Sequence, residues 1–402
     1  MSAVGQPSAA APSAVPRARS WQLARETARR AGLRPLPGLC VPLAEALGRT
    51  LAEPLGALTD LPAFDTSAMD GWAVAGPGPW RVAGRVLAGR AEPAPLADGG
   101  AVEIATGAQL PPGATAVLRR EHGRTDGALL HDRGPRPLTN GQDVRPRGQE
   151  CRRGEELLPA GTPVGSAVLG LAAACGHDRL PVHGRPEVQL LVLGDELLTS
   201  GVPGPGLVRD ALGPLLPPWL RAAGAGTPEV RYVRDDFGLL RDALRHSTAD
   251  LVVTTGATAA GPVDFLHRAL TEAGARLLVD GVAVRPGHPM VLAELPGGRH
   301  LVGLPGNPLA AVAGMVTLVL PLLHARGGRT VGAPVLAPAA VDLPGHRTDT
   351  RLQPVRRAAE GVLPLAFDGP AMLRGLVRAE ALAVVPPGGA AAGETVELLE
   401  VP

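Results

Sequence analysis

The side chains best able to hold an anion or a divalent cation in this 402-residue chain follow four short apolar runs. Behind VQLLVL (188–193) stand Gly194, Asp195 and Glu196, and behind VRYV (230–233) stand Arg234, Asp235 and Asp236. LVVTT (251–255) ends in Thr254 and Thr255 and leads through Gly256 and Gly261 to Asp264, while LVGL (301–304) is followed by Pro305, Gly306, Asn307 and Pro308. Glycine at the start of a helix leaves N–H groups open to a phosphate. Carboxylates give hard oxygen donors that suit Mg²⁺ shared between protein and substrate. Each cluster also has a plainer reading. Asp195-Glu196 and Asp235-Asp236 can be helix caps, and the Gly256–Gly261 loop is neither a Walker loop nor a dinucleotide fingerprint. Their joint placement favours one site for an anionic ligand with a metal.

The elements that must position these residues are four strand-then-helix repeats. Apolar periodicity predicts helices near 207–222, 236–246, 264–273 and 308–320, one behind each run, and so a mostly parallel α/β sheet with helices on both faces. Ligands bind such sheets outside the carboxyl ends of the strands, where the four clusters lie. Before the repeats, Ser20 to Leu33 reads as an amphipathic helix with Trp21, Ala24, Ala28 and Ala31 on one face, and a short second helix ends at Gly48. Leu61 to about Asn140 is β-rich, and Ser166 to Cys175 is helical. Beyond Gly328 only short strands are expected, forming a small β-barrel. The uncharged stretch Leu301–Leu323 is interrupted at 305–308 and at Pro321, which predicts a buried helix rather than a membrane span.

Composition removes several classes of function. All 39 basic residues are arginine, so mechanisms needing a Schiff-base or P-loop lysine are excluded. A net charge of +1 with interspersed signs gives no footprint for nucleic acid or an anionic membrane. Cys40, Cys151 and Cys175 form no C-x-x-C, which predicts reduced thiols and a cytoplasmic protein. Residues 1–18, rich in Ala, Pro and Ser, read as a disordered tail. Asp65 and Asp70 in DTSAMDG, Thr106-Gly107, and Gly148-Gln149-Glu150 among Arg145, Arg147, Arg152 and Arg153 are surface turns or, for the last, a site for an anion.

Five segments in order carry a resemblance. LAEALGRTLAEPLGALTDLPAFDTSAMDGWAV, IATGAQLPPGATAV, DVRPRGQE, LVLGDEL and VGLPGNPLAA resemble the signature segments of the molybdopterin molybdenumtransferase family, which includes the gephyrin E domain. The similarity runs from about residue 20 to 402. It implies a discontinuous N-terminal domain (19–185) with an inserted β-rich domain (about 63–143), a molybdopterin-binding three-layer α/β domain (186–328) and a C-terminal β-barrel (329–402). It implies a homodimer that takes adenylylated molybdopterin and molybdate, releases AMP with the help of Mg²⁺ and leaves molybdenum on the dithiolene. A molybdopterin adenylyltransferase and molybdoenzymes are the partners it suggests. Asp70, Thr106, Glu150, Glu196, Asp235 and Asp264 match the family's functional positions, with Glu196, Asp235 and Asp264 around the pyrophosphate and metal. Asp195, Gly256, Gly261, Arg285, His288, Pro305, Gly306 and Asn307 are the substrate-binding candidates.

The chain also departs from the family pattern. The family's glycine-rich loop here reads Thr255-Gly256-Ala257-Thr258-Ala259-Ala260-Gly261. An alanine where φ must be positive costs about 1 kcal/mol. Three positions where relatives carry lysine are Gly281, Arg285 and His288. A guanidinium keeps its charge and grips phosphate with two N–H groups, whereas an imidazole is cationic only below about pH 6.5. These changes also fit a second reading: a catalytically weak paralogue that binds molybdenum cofactor, its precursor or a partner enzyme.

Overall fold

The computed structural model describes residues 18–89, 93–256 and 265–401. All but Ala18 of the tail expected over 1–18 lies outside them, as do Gly261 and Asp264. The chain packs as two compact units. One comprises residues up to Leu39, Gly48–Thr50 and everything from His183 on, and the other comprises Cys40–Leu47 and Leu51–Val182.

The first unit holds the six-stranded sheet. Its strands are β1 (Val188–Leu193), β2 (Glu229–Val233), β3 (Leu251–Thr255), β4 (Arg276–Asp280), β5 (Val291–Leu295) and β6 (Arg299–Leu304), in spatial order β2-β1-β3-β6-β5-β4. β2, β1, β3 and β6 are parallel, so their carboxyl ends share one edge. The antiparallel β5 and β4, absent from the repeat pattern, complete the other side. Every residue of β1 and β3 is buried, as expected for central strands covered on both faces.

The helix Phe237–His246 follows β2 and Phe265–Glu272 precedes β4, close to the predicted spans. The first helix differs. It runs from Leu212 to Ala222 rather than from 207, because the residues just before it are taken up by a strand pairing and by the Asp210 carboxylate that receives the first helix N–H groups. Leu197–Leu198 and Val208–Arg209 pair there instead. Asp210 then accepts the Leu212 and Gly213 N–H groups and starts the helix.

The last helix also exceeds its prediction. It continues from Pro308 to Arg326 through a π-helical turn at Met315–Val319, and Pro321 does not stop it. The wider turn just before the proline relaxes the hydrogen-bond ladder where an N–H is missing. Among the described residues this is the one helix long and apolar enough to cross a membrane, and 78% of its apolar window is buried inside the protein. The N-terminal helix Trp21–Ala31 packs on it, in the same core as β1, β3 and β6. The Trp21 indole N–H donates to the Thr317 hydroxyl at 3.1 Å, and that hydroxyl donates to the Ala313 carbonyl. Beyond the helix, strands Val335–Pro338, Thr395–Leu399, Ala381–Val385 and Thr350–Ala358 form a curled sheet that continues through Val282–Arg285 to Arg19–Ser20. The curl brings Ala339 to a bridge with Val362. A short 3₁₀ turn at Leu376–Arg378 interrupts what was expected to be strand and loop alone.

The second unit contains a six-stranded sheet built from Gly71–Val74, Trp80–Val86, Gly100–Ile104, Ala116–Arg119, Gly123–Asp126 and Leu129–Asp132. It also contains the helix Ser166–Ala174. A Cβ at Gly71 would lie 2.0 Å from the Leu118 carbonyl oxygen, so the strand after DTSAMD can approach its neighbour only with glycine there.

Trp21→Phe keeps the buried ring and removes one hydrogen bond, so urea unfolding should show a loss of about 1 kcal/mol. Trp21→Ala should cost about 3–5 kcal/mol, because the whole side chain leaves the core.

Candidate functional site

The parallel sheet joins four loops at its carboxyl edge. Behind β1, Gly194 has φ +145°, and an ideal Cβ there would meet the Glu196 carboxylate at 2.7 Å. The glycine therefore lets the chain turn so that Asp195 and Glu196 are both exposed. No helix starts here, so neither carboxylate is a helix cap. The Asp195 carboxylate accepts the Asp235 N–H at 3.4 Å, and the Asp235 carboxylate accepts the Asp195 N–H at 3.3 Å. This reciprocal pair fixes the loops behind β1 and β2 together, with Arg234 3.5 Å from Asp195. Asp236 is the cap instead, accepting the Leu239 N–H at 2.8 Å at the start of the next helix.

Gly256, behind β3, has φ +86°, and a Cβ on it would sit 3.2 Å from the Leu193 carbonyl oxygen at the end of β1. A Cβ on Gly306, behind β6, would lie 3.6 Å from the Gly256 Cα. These two backbones thus run side by side, with Gly306 and Asn307 exposed and Pro305 buried. Beneath them the Thr254 hydroxyl is fully buried and makes no hydrogen bond within the protein. Asn307 caps the helix Pro308–Gly314 by position and not by side chain. The Leu309 and Ala310 N–H groups instead donate to the Pro370 carbonyl at 2.8 and 3.2 Å. Two donors of that helix start are therefore already occupied.

The candidate cations are also tethered. Arg285 Nε donates to the Asp349 carboxylate at 2.9 Å, and Arg351 pairs with Asp368. Burial raises the Asp349 pKa, but the bonds from Arg285 and Thr348 outweigh it and the net shift is downward. His288 Nδ1 bonds the Val282 carbonyl at 2.8 Å, which makes Nδ1 the donor and leaves Nε2 as the other ring nitrogen. The turn holding Arg285 and His288 lies against the helix behind Asn307, since a Cβ on Gly287 would be 3.1 Å from the Ala310 carbonyl oxygen. Gly281, at the third family lysine position, has φ +77°, and its carbonyl accepts the Arg19 N–H.

Sequence reasoning missed Asp210 as a structural anchor. It is buried and accepts the Tyr232 hydroxyl at 2.8 Å, linking the start of the first helix to β2. Burial, and then the neighbouring Asp210, push the Tyr232 phenol above its ordinary value. An Asp two residues before an apolar helix was the available signal.

In the second unit, Asp70 accepts the Thr106 N–H at 2.8 Å and its hydroxyl at 3.2 Å. The N–H bond first, and the hydroxyl bond next, hold the Asp70 carboxyl below its ordinary range. Glu150 is exposed, and its N–H donates to the Leu61 carbonyl. The arginine-rich stretch around it is partly neutralised: Asp60 binds the Arg147 guanidinium and the Arg153 N–H, and Asp65 binds the Arg147 N–H.

Mg²⁺ fits the first-unit edge by donor chemistry. Glu196 and Asp235 offer exposed carboxylate oxygens, and Mg²⁺ commonly keeps several waters and takes one or two carboxylates plus substrate oxygens. Among the described residues no three His, Cys, Asp or Glu side chains form a ready-made cage.

A mostly parallel α/β sheet with carboxylates and glycine backbones gathered at the carboxyl ends of its strands is an architecture that binds ligands in the crevice outside that edge. The chain matches the models described as MoeA N-terminal region (domain I and II) over residues 19–176, probable molybdopterin binding domain over 189–325, and MoeA C-terminal region (domain IV) over 337–401. It is 34% identical to a molybdopterin molybdenumtransferase of Synechococcus elongatus over 304 residues, covering 71% of this chain and 74% of that one. With the Bacillus subtilis molybdopterin molybdenumtransferase it shares 30% identity over 389 residues and 89% of each chain. A solved molybdopterin biosynthesis MoeA protein of Pyrococcus horikoshii superposes with a TM-score of 0.72 at 25% identity, covering 96% of this chain and 99% of that one. The chain belongs to the MoeA family.

Gly194→Ala should displace the Glu196 carboxylate and cost about 1 kcal/mol or more, since the new methyl meets it at a disfavoured φ. A variant crystal structure with Glu196 unmoved would contradict this. The lowered Asp70 pKa gives a second test. Its contact with Thr106 contributes fully above about pH 4 and is lost as the pH falls through the lowered value. Asp70→Asn should flatten that part of the pH dependence in urea unfolding at acid pH.

Proposed function

We propose that the protein is a molybdopterin molybdenumtransferase. It takes adenylylated molybdopterin and molybdate, releases AMP and leaves molybdenum on the dithiolene. The observation that carries this reading is that the bonded Asp195–Asp235 pair, Glu196 and the neighbouring Gly256 and Gly306 backbones follow adjacent parallel strands at one sheet edge. The glycines leave room for a pyrophosphate to approach the chain closely. Bound Mg²⁺, held by Glu196 and Asp235 with Asp264 as a further ligand, would neutralise charge on the pyrophosphate oxygens. Asp195 positions Asp235 by the reciprocal bonds between their loops. Arg285 and His288 draw in the anionic substrate, with Gly261, Pro305 and Asn307 shaping the pocket.

The working form is a homodimer. Asp70, Thr106 and Glu150 of the partner subunit complete the site, with the Thr106 bonds keeping Asp70 ionised. The substrate is supplied by an adenylyl transfer to molybdopterin, and the product passes to molybdoenzymes.

A second reading is favoured by the tethering of the anion-binding groups. Arg285 is paired with Asp349, and Pro370 occupies two N–H groups at the helix start. In that case the chain binds molybdenum cofactor, its precursor or a partner enzyme with little turnover. AMP release from adenylylated molybdopterin with molybdate and Mg²⁺ decides between them. The enzyme should release AMP, and Glu196→Ala and Asp70→Ala should each lower the rate by on the order of 10²-fold. Binding without release would establish the second reading. No binding, or undiminished release by both variants, would defeat the assignment of the site. In a strain lacking its own molybdenumtransferase, rescue only at raised molybdate would show that anion capture is the weakened step.

A further inference from the structure

Cys151 and Cys175 lie outside the chemistry above. Both are buried, at 3% and 0% exposure, and their sulfurs are 3.7 Å apart in a small apolar cluster with Ala57, Leu61, Leu157 and Leu171. Both are free thiols. Closing the gap to the roughly 2.05 Å of a disulfide takes less than 2 Å of sulfur movement. The two cysteines also anchor different segments. The Cys175 N–H caps the helix Ser166–Ala174, and its carbonyl accepts the Leu58 N–H. Cys151 exchanges backbone bonds with Leu61, whose carbonyl also takes the Glu150 N–H.

We propose that Cys151 and Cys175 are a reversible peroxide-oxidisable dithiol whose disulfide ties the helix end at Cys175 to the turn carrying Glu150. The thiolate of Cys151, the slightly more exposed of the two, attacks one oxygen of hydrogen peroxide, giving Cys151 sulfenic acid and hydroxide. The Cys175 thiolate then attacks the sulfenic sulfur, forming the S–S bond and expelling the second oxygen as water. The proton released by each thiol ends in a water molecule. Two thiols are oxidised by two electrons, one peroxide is reduced to two waters, and a dithiol reductant reverses the change by exchange. Burial, and then the bond to Cys151, push the Cys175 thiol up to about 11, so closure is slow at neutral pH and faster as the pH rises. The device responds to sustained oxidation and spares the thiols from brief exposure. It does not rest on the catalytic reading.

The test uses the full chain carrying Cys40→Ser, which removes the one exposed thiol. After peroxide treatment, denaturation and alkylation, the expected product is a monomer lighter by two hydrogens, unlabelled at both cysteines and relabelled after reduction. Its formation should accelerate between pH 7 and pH 9, and hydrogen exchange at Glu150 and Leu61 should slow in the oxidised form. Cys175→Ser should stop at a Cys151 sulfenic acid that a dimedone reagent captures. The proposal is overturned if both thiols of the Cys40→Ser protein stay alkylatable, or if Cys151 runs on to sulfinic acid while Cys175 stays reduced. Because the first readout needs no further variant, a misfolded Cys175→Ser chain would not shelter the proposal.

Discussion

The first unit depends on burying one long apolar helix, Pro308–Arg326. Nearly all its residues from Leu309 to Val319 are below 4% exposed, and they share a core with β1, β3, β6, the N-terminal helix and Leu352, Leu382 and Leu399 of the curled sheet. Full burial of each large apolar side chain contributes about 1.5–3 kcal/mol. The edge that carries the candidate residues exists because this core holds β1, β3 and β6 in register and so aligns their ends. The Trp21–Thr317 bond adds direction to that non-directional attraction, satisfying an indole and a hydroxyl that burial would otherwise penalise. Ion pairs have no comparable role. Most lie at the surface, where such pairs contribute little.

Arginine in place of lysine has consequences beyond composition. A guanidinium is planar and presents several donors, so it readily settles on a carboxylate. Arg285 on Asp349, Arg351 on Asp368 and Arg119 on Asp143 do so here. Around the candidate site the cations are therefore held at fixed positions by acidic partners. An anion arriving there would have to share or displace those partners, a matter of local competition rather than of the near-neutral charge of the whole chain.

Much of the sheet was visible in the sequence. VQLLVL, LVVTT and LVGL are continuous apolar runs because central parallel strands are buried on both faces, and the polar residues behind them mark the ends of those strands. β4 and β5 escape the pattern because antiparallel strands that follow one another without a helix between them lack the strand-then-helix rhythm. The helix expected over 207–222 starts only at Leu212, because apolar spacing does not register that Val208–Arg209 pairs with Leu197–Leu198. Pro321 looked like a stop, since local rules cannot see a π turn buried on every side.

The candidate carboxylates divide in the same way. That Asp195, Glu196, Asp235 and Asp236 sit behind strands was legible residue by residue. Their different tasks were not: Asp236 caps a helix, while Asp195 and Asp235 bind each other's backbone across 40 residues of sequence. By itself the sequence determined the four parallel strands with their helices, the edge where polar residues collect and the exclusion of lysine chemistry, because these follow from periodicity and residue type. Only the tertiary structure decided which groups are still free at that edge. Partner choice between Arg285 and Asp349, or Pro370 and Leu309, is set by distances between segments far apart in the chain, which packing alone fixes.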